Sequence, residues 1–273
     1  MNGAKTMQKT ARELRRTVID MIYEAGSGHS GGSLSCAEIL TVLYDEIMRI
    51  DPARPEWEER DRFILSKGHA APALYATLAH KGFFDPKRLP SLRKLGSGLE
   101  GHPCMFKLAG IDMSTGSLGL GISAGVGMAL AAKQKKQSYR VFVLCGDGEL
   151  QEGQNWEAFA AAGKWKLDNL TVIVDHNRVQ LDGTTEQVMP SGDLSAKISA
   201  FGLYTVQCDG HHVSSLLDAF QQAEKHHGPA VIIADTVKGK GVSFMEGQAV
   251  WHGKQISDEN YKAAIKEIRE EKL

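Results

Sequence analysis

The chain has 273 residues, is 42% hydrophobic and 24% charged, and carries a formal net charge of −1. That length supports a sizeable core, while the near-neutral balance offers no basic field for nucleic acid and none for an anionic membrane surface. No stretch approaches the ~18 apolar residues of a membrane span, and no apolar run follows the basic "MNGAKTMQKTARELRR", so no signal peptide is expected.

In chain order, Leu14, Val18 and Ile22 recur at helical spacing and predict a helix from about Met7 to Ala25, ended by Gly26. The loop "GSGHSGGSLS" follows, and Ser35 with Glu38 predicts a capping box before "ILTVLYDEIM". "RFILS" at 62–66 reads as a short strand and "APALYATLAHKG" as a helix. An irregular stretch, 83–114, holds "EGHP"; the glycine-rich stretch 116–127 then runs into the helical "MALAAKQ". From there strands and helices alternate. Strand 140–145 leads to a helix near 153–166, and strand 170–175 leads to a long loop, 176–192. "YTVQC" leads to helix 213–226, and strand 230–235 leads to a last glycine loop. "DENYKAAIKEIREEK" closes the chain as a helix read most simply as solvated. This alternation predicts an α/β fold with a mostly parallel sheet sandwiched by helices. No repeat or linker divides it, so one domain over 1–273 is expected, beginning at Met1 and ending in an unbroken helix as a natural subunit would. Cys36, Cys104, Cys145 and Cys208 are far apart with no CxxC pair. They predict a reducing, cytoplasmic setting without a disulfide framework or thiolate metal site.

Two strands end in polar ligand types. "VFVLCGDG" delivers Asp147, and "TVIVDHNRV" delivers Asp175, His176 and Asn177. The interval from Asp147 to Asn177 suits one strand–helix–strand unit, which sets both strand ends on the same edge of the sheet. A carboxylate with an amide oxygen is hard-oxygen chemistry suited to Mg²⁺, which completes its shell with phosphate oxygens and water. Gly146 and Gly148 leave room for a diphosphate to approach the backbone. A G-D-G turn is also ordinary turn chemistry; the amide at the second strand end favours the ligand reading. Gly119, Gly121, Gly125 and Gly127 do not follow a convincing strand, which discounts a dinucleotide loop.

"GDG" followed by the asparagine of "DHN" resembles the thiamine diphosphate signature, and the whole set resembles the N-terminal portion of transketolases. "GSGHSGGSLS", "ILSKGHAAPALYA", "EGHP", "STGSLGLGIS", "GDGELQEGQNWE", "DHNRVQLDG" and "TVKGKGVSF…WHGK" fall in family order over roughly residues 10–255. The resemblance implies a thiamine diphosphate-binding fold. It implies Asp147, Asn177 and the Val179 carbonyl as Mg²⁺ ligands, and Gly146, Gly148 and Asn177 beside the diphosphate. It implies Gly116, Ser117 and Leu118 against the cofactor's rings, with His69 and His252 as cofactor contacts near the diphosphate and His252 also facing substrate. His29 and His102 would face substrate, so the expected catalytic set is His29, His69, His102 and His252. Histidine suits a reaction that moves protons on and off sugar hydroxyls near neutral pH. Glu152 and Glu157 resemble glutamates at the interface between paired cofactors. His80, His211, His212, His226 and His227 match no motif and read as surface or cap residues.

The family's activating glutamate, which meets the cofactor's aminopyrimidine, and most of its phosphate-gripping arginines lie in later domains. The resemblance therefore implies one half of a split transketolase, completed by a separate C-terminal chain in a heterotetramer. It would move a two-carbon ketol unit between sugar phosphates. Ser30, Cys104 and Leu120 stand where the family has proline, glutamate and glutamine, which leaves the sugar pair open. Two other readings remain. One is a subunit of another thiamine enzyme, of 2-oxo acid dehydrogenase alpha or 1-deoxyxylulose 5-phosphate synthase type. The other is a cofactor-binding subunit without turnover.

Overall fold

The computed structural model describes residues 2–271; Met1 and residues 272 and 273, the expected outer bounds of the domain, lie outside them. Five strands form one sheet: β1 (Arg62–Leu65), β2 (Val141–Gly146), β3 (Leu170–His176), β4 (Tyr204–Asp209) and β5 (Ala230–Asp235). Their order is β1-β2-β3-β5-β4 and every pairing is parallel.

Ten α-helices accompany the sheet among the described residues: α1 (Asn2–Ala25), α2 (Ser30–Leu34), α3 (Ala37–Val42), α4 (Ala71–Lys81), α5 (Gly121–Lys135), α6 (Gly153–Lys164), α7 (Thr185–Val188), α8 (Leu194–Ser199), α9 (Val213–Lys225) and α10 (Asp258–Glu270). β1, β2, β3 and β5 are largely apolar at consecutive positions because both faces are covered, whereas edge strand β4 is only partly buried. On one face Phe142, Leu144, Ile173 and Ile232 pack with Leu14 and Val18 of α1, Ile39 of α3, Leu74 of α4 and Leu216 of α9. On the other, Val141, Val143, Val172 and Ile233 pack with Val126 of α5, Phe159 of α6 and Ile198 of α8. This is the sandwiched parallel sheet that the alternation predicts. No helix of the described residues is long and apolar enough to cross a membrane.

Three local expectations are corrected. The first helix begins at Asn2 rather than near Met7. The Ser35–Glu38 capping box does not form: Cys36 occupies the N-cap of α3 and its side chain caps no helix amide. Ser35 instead donates to Asp175 at 2.6 Å, and Glu38 accepts Arg15 at 2.5 Å. A charged partner binds a buried carboxylate more strongly than a helix amide does. A capping box does form inside the supposed loop 176–192, where Thr184 and Gln187 start α7. Third, the closing helix is amphipathic rather than simply solvated. Ala264, Ile265 and Ile268 of α10 are buried, and Tyr261 stacks on Tyr23 of α1 with ring centroids 4.1 Å apart.

Candidate active site

Because β2 and β3 are parallel neighbours with Gly146 opposite Asp175, Asp147 and Asn177 emerge side by side at one edge of the sheet. Asp147 is 2% exposed. Its oxygens accept backbone amides, from Gly148 at 2.9 Å and Arg178 at 2.6 Å, and no basic side chain pairs with it among the described residues. Burial and the nearby charge of Asp175 raise its pKa to about 6. The Asn177 oxygen accepts the Val179 amide at 3.1 Å, which turns that short loop back on itself; Arg178 between them has φ 62°. A Cβ at Gly146 would meet no atom nearer than 4.0 Å, so the strand end opens onto free space. An unpaired buried carboxylate, an oriented amide oxygen and a side-chain-free strand end fit a divalent cation carrying a diphosphate.

The four histidines expected at the site come from four distant segments and meet. His29 precedes α2, His69 lies just ahead of α4, His102 sits in the irregular stretch and His252 follows the last glycine loop. The His29 ring lies 5.4 Å from His69, 6.4 Å from His102 and 5.2 Å from His252; His69 and His252 are 5.0 Å apart. Burial, with the charges of Arg93, His102 and Lys238, lowers His29 to about 4. Burial and Lys238 bring His252 to about 4, and burial with Lys67 holds His69 well below its ordinary value. His102 is also lowered, by burial and Arg93. Near neutral pH these rings are uncharged, and each offers one N–H and one bare nitrogen.

Gly116 borders His102: its φ is 148°, and a Cβ there would lie 3.2 Å from the ring. Ser117 and Leu118 are exposed beyond it. Gly68 lets the loop of His69 close on this segment, since a Cβ would stand 2.8 Å from the Gly116 nitrogen. Glu149 joins the same parts from below. Its carboxylate accepts Ser66 at 2.5 Å and the amides of Gly119 and Gly146 at 3.0 and 3.1 Å. Beneath the His69 loop, buried Lys67 pairs with Asp175 and donates to the Gly32 carbonyl at 2.6 Å. Burial opposes both charges, but their mutual attraction wins, raising Lys67 and lowering Asp175.

Lys238 is a site residue that sequence reasoning missed. It is 2% exposed, and its ammonium lies 3.0 Å from both the Val179 carbonyl and His252 Nδ1. It thus ties the carboxylate corner to the histidine cluster. Burial and Lys67 lower it to about 8. Its signal was present in "TVKGKG", where a lysine stands before a glycine after an apolar strand, but a lone lysine in a loop is usually solvated. Glu152 and Glu157 are exposed. His80, His212, His226 and His227 are exposed, with His212 and His226 capping α9. His211 departs from the surface reading: it bonds to Glu38 at 3.0 Å and to the Val237 amide at 2.8 Å.

The transketolase thiamine diphosphate binding domain family matches residues 6–270. The chain belongs to that family. Among its relatives, the 6-deoxy-6-sulfo-D-fructose transketolase subunit SqwG of Clostridium sp. (strain MSTE9) is 44% identical over 97% of both chains. One of the subunits of the apulose-4-phosphate transketolase of Phocaeicola vulgatus is 43% identical, over 97% of this chain and 95% of its own. The crystal structure of Campylobacter jejuni transketolase superposes with a TM-score of 0.92 at 35% identity, covering 97% of this chain. This family member spans only 43% of the Campylobacter chain, so it matches subunit-sized transketolases end to end and single-chain ones in part.

Proposed function

We propose that this chain is the N-terminal subunit of a two-chain transketolase. With a separate C-terminal chain it transfers a two-carbon ketol unit from a ketose phosphate, or a similarly anionic ketose, to an aldose phosphate. The observation that carries the reading is the meeting of four histidines beside a buried lysine that touches the Val179 carbonyl. The near-complete coverage of two subunits named as transketolases supports the split arrangement.

In this reading residues 1–273 act as one domain. Asp147, Asn177 and the Val179 carbonyl hold Mg²⁺, and that carbonyl keeps a second lone pair beside Lys238. Gly146, Gly148 and Asn177 border the diphosphate, with Lys238 as a cation for it. Gly116, Ser117 and Leu118 border the rings. Thiamine diphosphate, when bound, supplies the electron sink that lets a carbon–carbon bond next to a ketose carbonyl break and re-form on an aldose. The chain's own work is proton handling and orientation. His29 and His102 donate to and accept from sugar hydroxyls, while His69 and His252 do so at the cofactor side. Neutral rings can shuttle protons in both directions without the cost of holding charge in a buried cluster.

Glu152 and Glu157 are read as contacts between paired subunits of a cytoplasmic heterotetramer. No nucleic acid or membrane partner is included. The test is two-carbon transfer to ribose 5-phosphate with Mg²⁺ and thiamine diphosphate. The donors are xylulose 5-phosphate, 6-deoxy-6-sulfofructose and apulose 4-phosphate, offered to the chain alone and with its co-purified partner. Transfer by the pair only is expected. Transfer by the chain alone would overturn the split reading, and pyruvate-dependent turnover in place of ketol transfer would favour another thiamine enzyme.

A further inference from the structure

His211 lies in the turn between β4 and α9, and each of its ring nitrogens meets a partner from elsewhere in the chain. The Val237 amide is only a donor, so Nε2, which receives it at 2.8 Å, is bare. The ring proton therefore sits on Nδ1, directed at Glu38 Oε2 3.0 Å away. Glu38 is 0% exposed and accepts Arg15, also 0% exposed, at 2.5 Å on both oxygens, with Gln8 at 3.2 Å. Burial favours the neutral acid, but Arg15 and His211 outweigh it and hold Glu38 below its ordinary pKa. Asp209 receives the His211 backbone amide at 2.8 Å and fixes the turn.

This relay is long for a purely local contact. It runs from α1 through α3 to the β4–α9 turn and ends on the backbone just after β5. Its last partner, Val237, adjoins Lys238, whose ammonium meets the Val179 carbonyl and His252. The neighbouring Gly239 amide is held by the Gly31 carbonyl at 3.0 Å, so the segment is pinned on both sides of the lysine. A buried ion pair with a neutral imidazole at its end contributes little stability for its desolvation cost. It does fix geometry, because each hydrogen bond has one direction.

We propose that the Arg15–Glu38–His211 relay is a positioning device for the cofactor end of the site: by holding the Val237 amide, His211 sets where Lys238 meets Val179 and His252. The proposal rests on the reading of that end as the diphosphate site. His211 is a positioning residue; it acts through Val237 and Lys238. Outer groups that orient a ligand-binding side chain commonly change affinity by about 10- to 100-fold.

Hydrogen exchange and direct thiamine diphosphate titration in Mg²⁺, both on the full chain with its co-purified partner, test this. His211→Ala is expected to speed exchange across 236–241 while β2, β3 and β5 keep their protection, and to weaken cofactor affinity about 10-fold or more. His211→Gln, whose amide oxygen can accept from Val237, is expected to recover most of both. Lys238→Met alone should weaken binding, and adding His211→Ala to it should cost less than about twofold more, because the two act in series. Unchanged exchange at 236–241, unchanged affinity, or fully additive losses would overturn the proposal. If the wild-type pair binds no thiamine diphosphate, the functional reading fails, and exchange alone decides whether the relay holds this segment.

Discussion

Asp147 and Lys238 are both buried and both pushed towards their neutral forms, by burial first and then by a like charge, Asp175 for one and Lys67 for the other. A magnesium–diphosphate bound there, as proposed, would reverse both effects at once: the cation would favour the ionised carboxylate, and the anion the ammonium. The folded pKa of Asp147 lies above its unfolded value, so its ionisation works against folding near neutral pH. Asp147→Ala is therefore expected to abolish metal-dependent cofactor binding by calorimetric titration without lowering the Tm of the cofactor-free chain. The histidines carry the opposite pH signature. His29 and His252 fall to about 4 in the folded chain, below the ordinary 6.5, so the unfolded chain binds more protons between those values. Stability is then complete above about 6.5 and declines as pH falls towards 4. Urea titrations from pH 7 to 4.5 should show that decline, and a His29→Asn/His252→Asn double variant should flatten it.

The elements place these side chains through a few buried links, and those links are the sensitive points. Lys67 and Asp175 tie the loop after β1 to the end of β3. Lys67→Met leaves Asp175 buried without its cation and should destabilise the chain by about 3–5 kcal/mol, read from urea unfolding. Restoring a charge as Lys67→Arg should recover little, since a planar guanidinium does not fit the three-way contact with Asp175, Ser35 and the Gly32 carbonyl. Four of the five strands were legible in sequence because each is a short apolar run, bounded by loops and mostly buried; β4, an edge strand with Thr205, Gln207 and Asp209, gives a weaker signal. Asp147 and Asn177 were legible too, since a strand end fixes a residue's place on the sheet edge. The Ser35–Glu38 pattern misled because local spacing says nothing about Arg15 or Asp175, which reach those side chains from elsewhere in the chain. The same blindness hid Lys238 and His211. Their partners, Val179 and Glu38, are remote in sequence, and neither residue stands in a pattern that periodicity reads. The histidine cluster was expected from family motifs; spacing alone could not have brought four separate loops together.

At the scale of the molecule, the loops that border the site also expose apolar side chains that a lone subunit has little use for. Leu118 is 38% exposed, Leu120 51% and Leu181 62%. Leu118 and Leu120 flank Gly119, whose amide is fixed by Glu149, so these side chains are held outward on a rigid base. In a two-chain enzyme they would be covered by the companion subunit. Leu120→Asp is expected to weaken assembly with the partner about tenfold, measured by titration calorimetry, while the Tm of the isolated chain stays within error. Unaltered assembly would place the partner on another face.

The four imidazoles are contributed by residues 29, 69, 102 and 252, so the cluster closes only when segments more than two hundred residues apart are brought together. A ribosome must extend the nascent chain past residue 252, and release it from the exit tunnel, before the last ring can join the other three. In the two-chain reading, a cofactor that needs His252 has no complete seat until that segment has been made and has joined the other three rings.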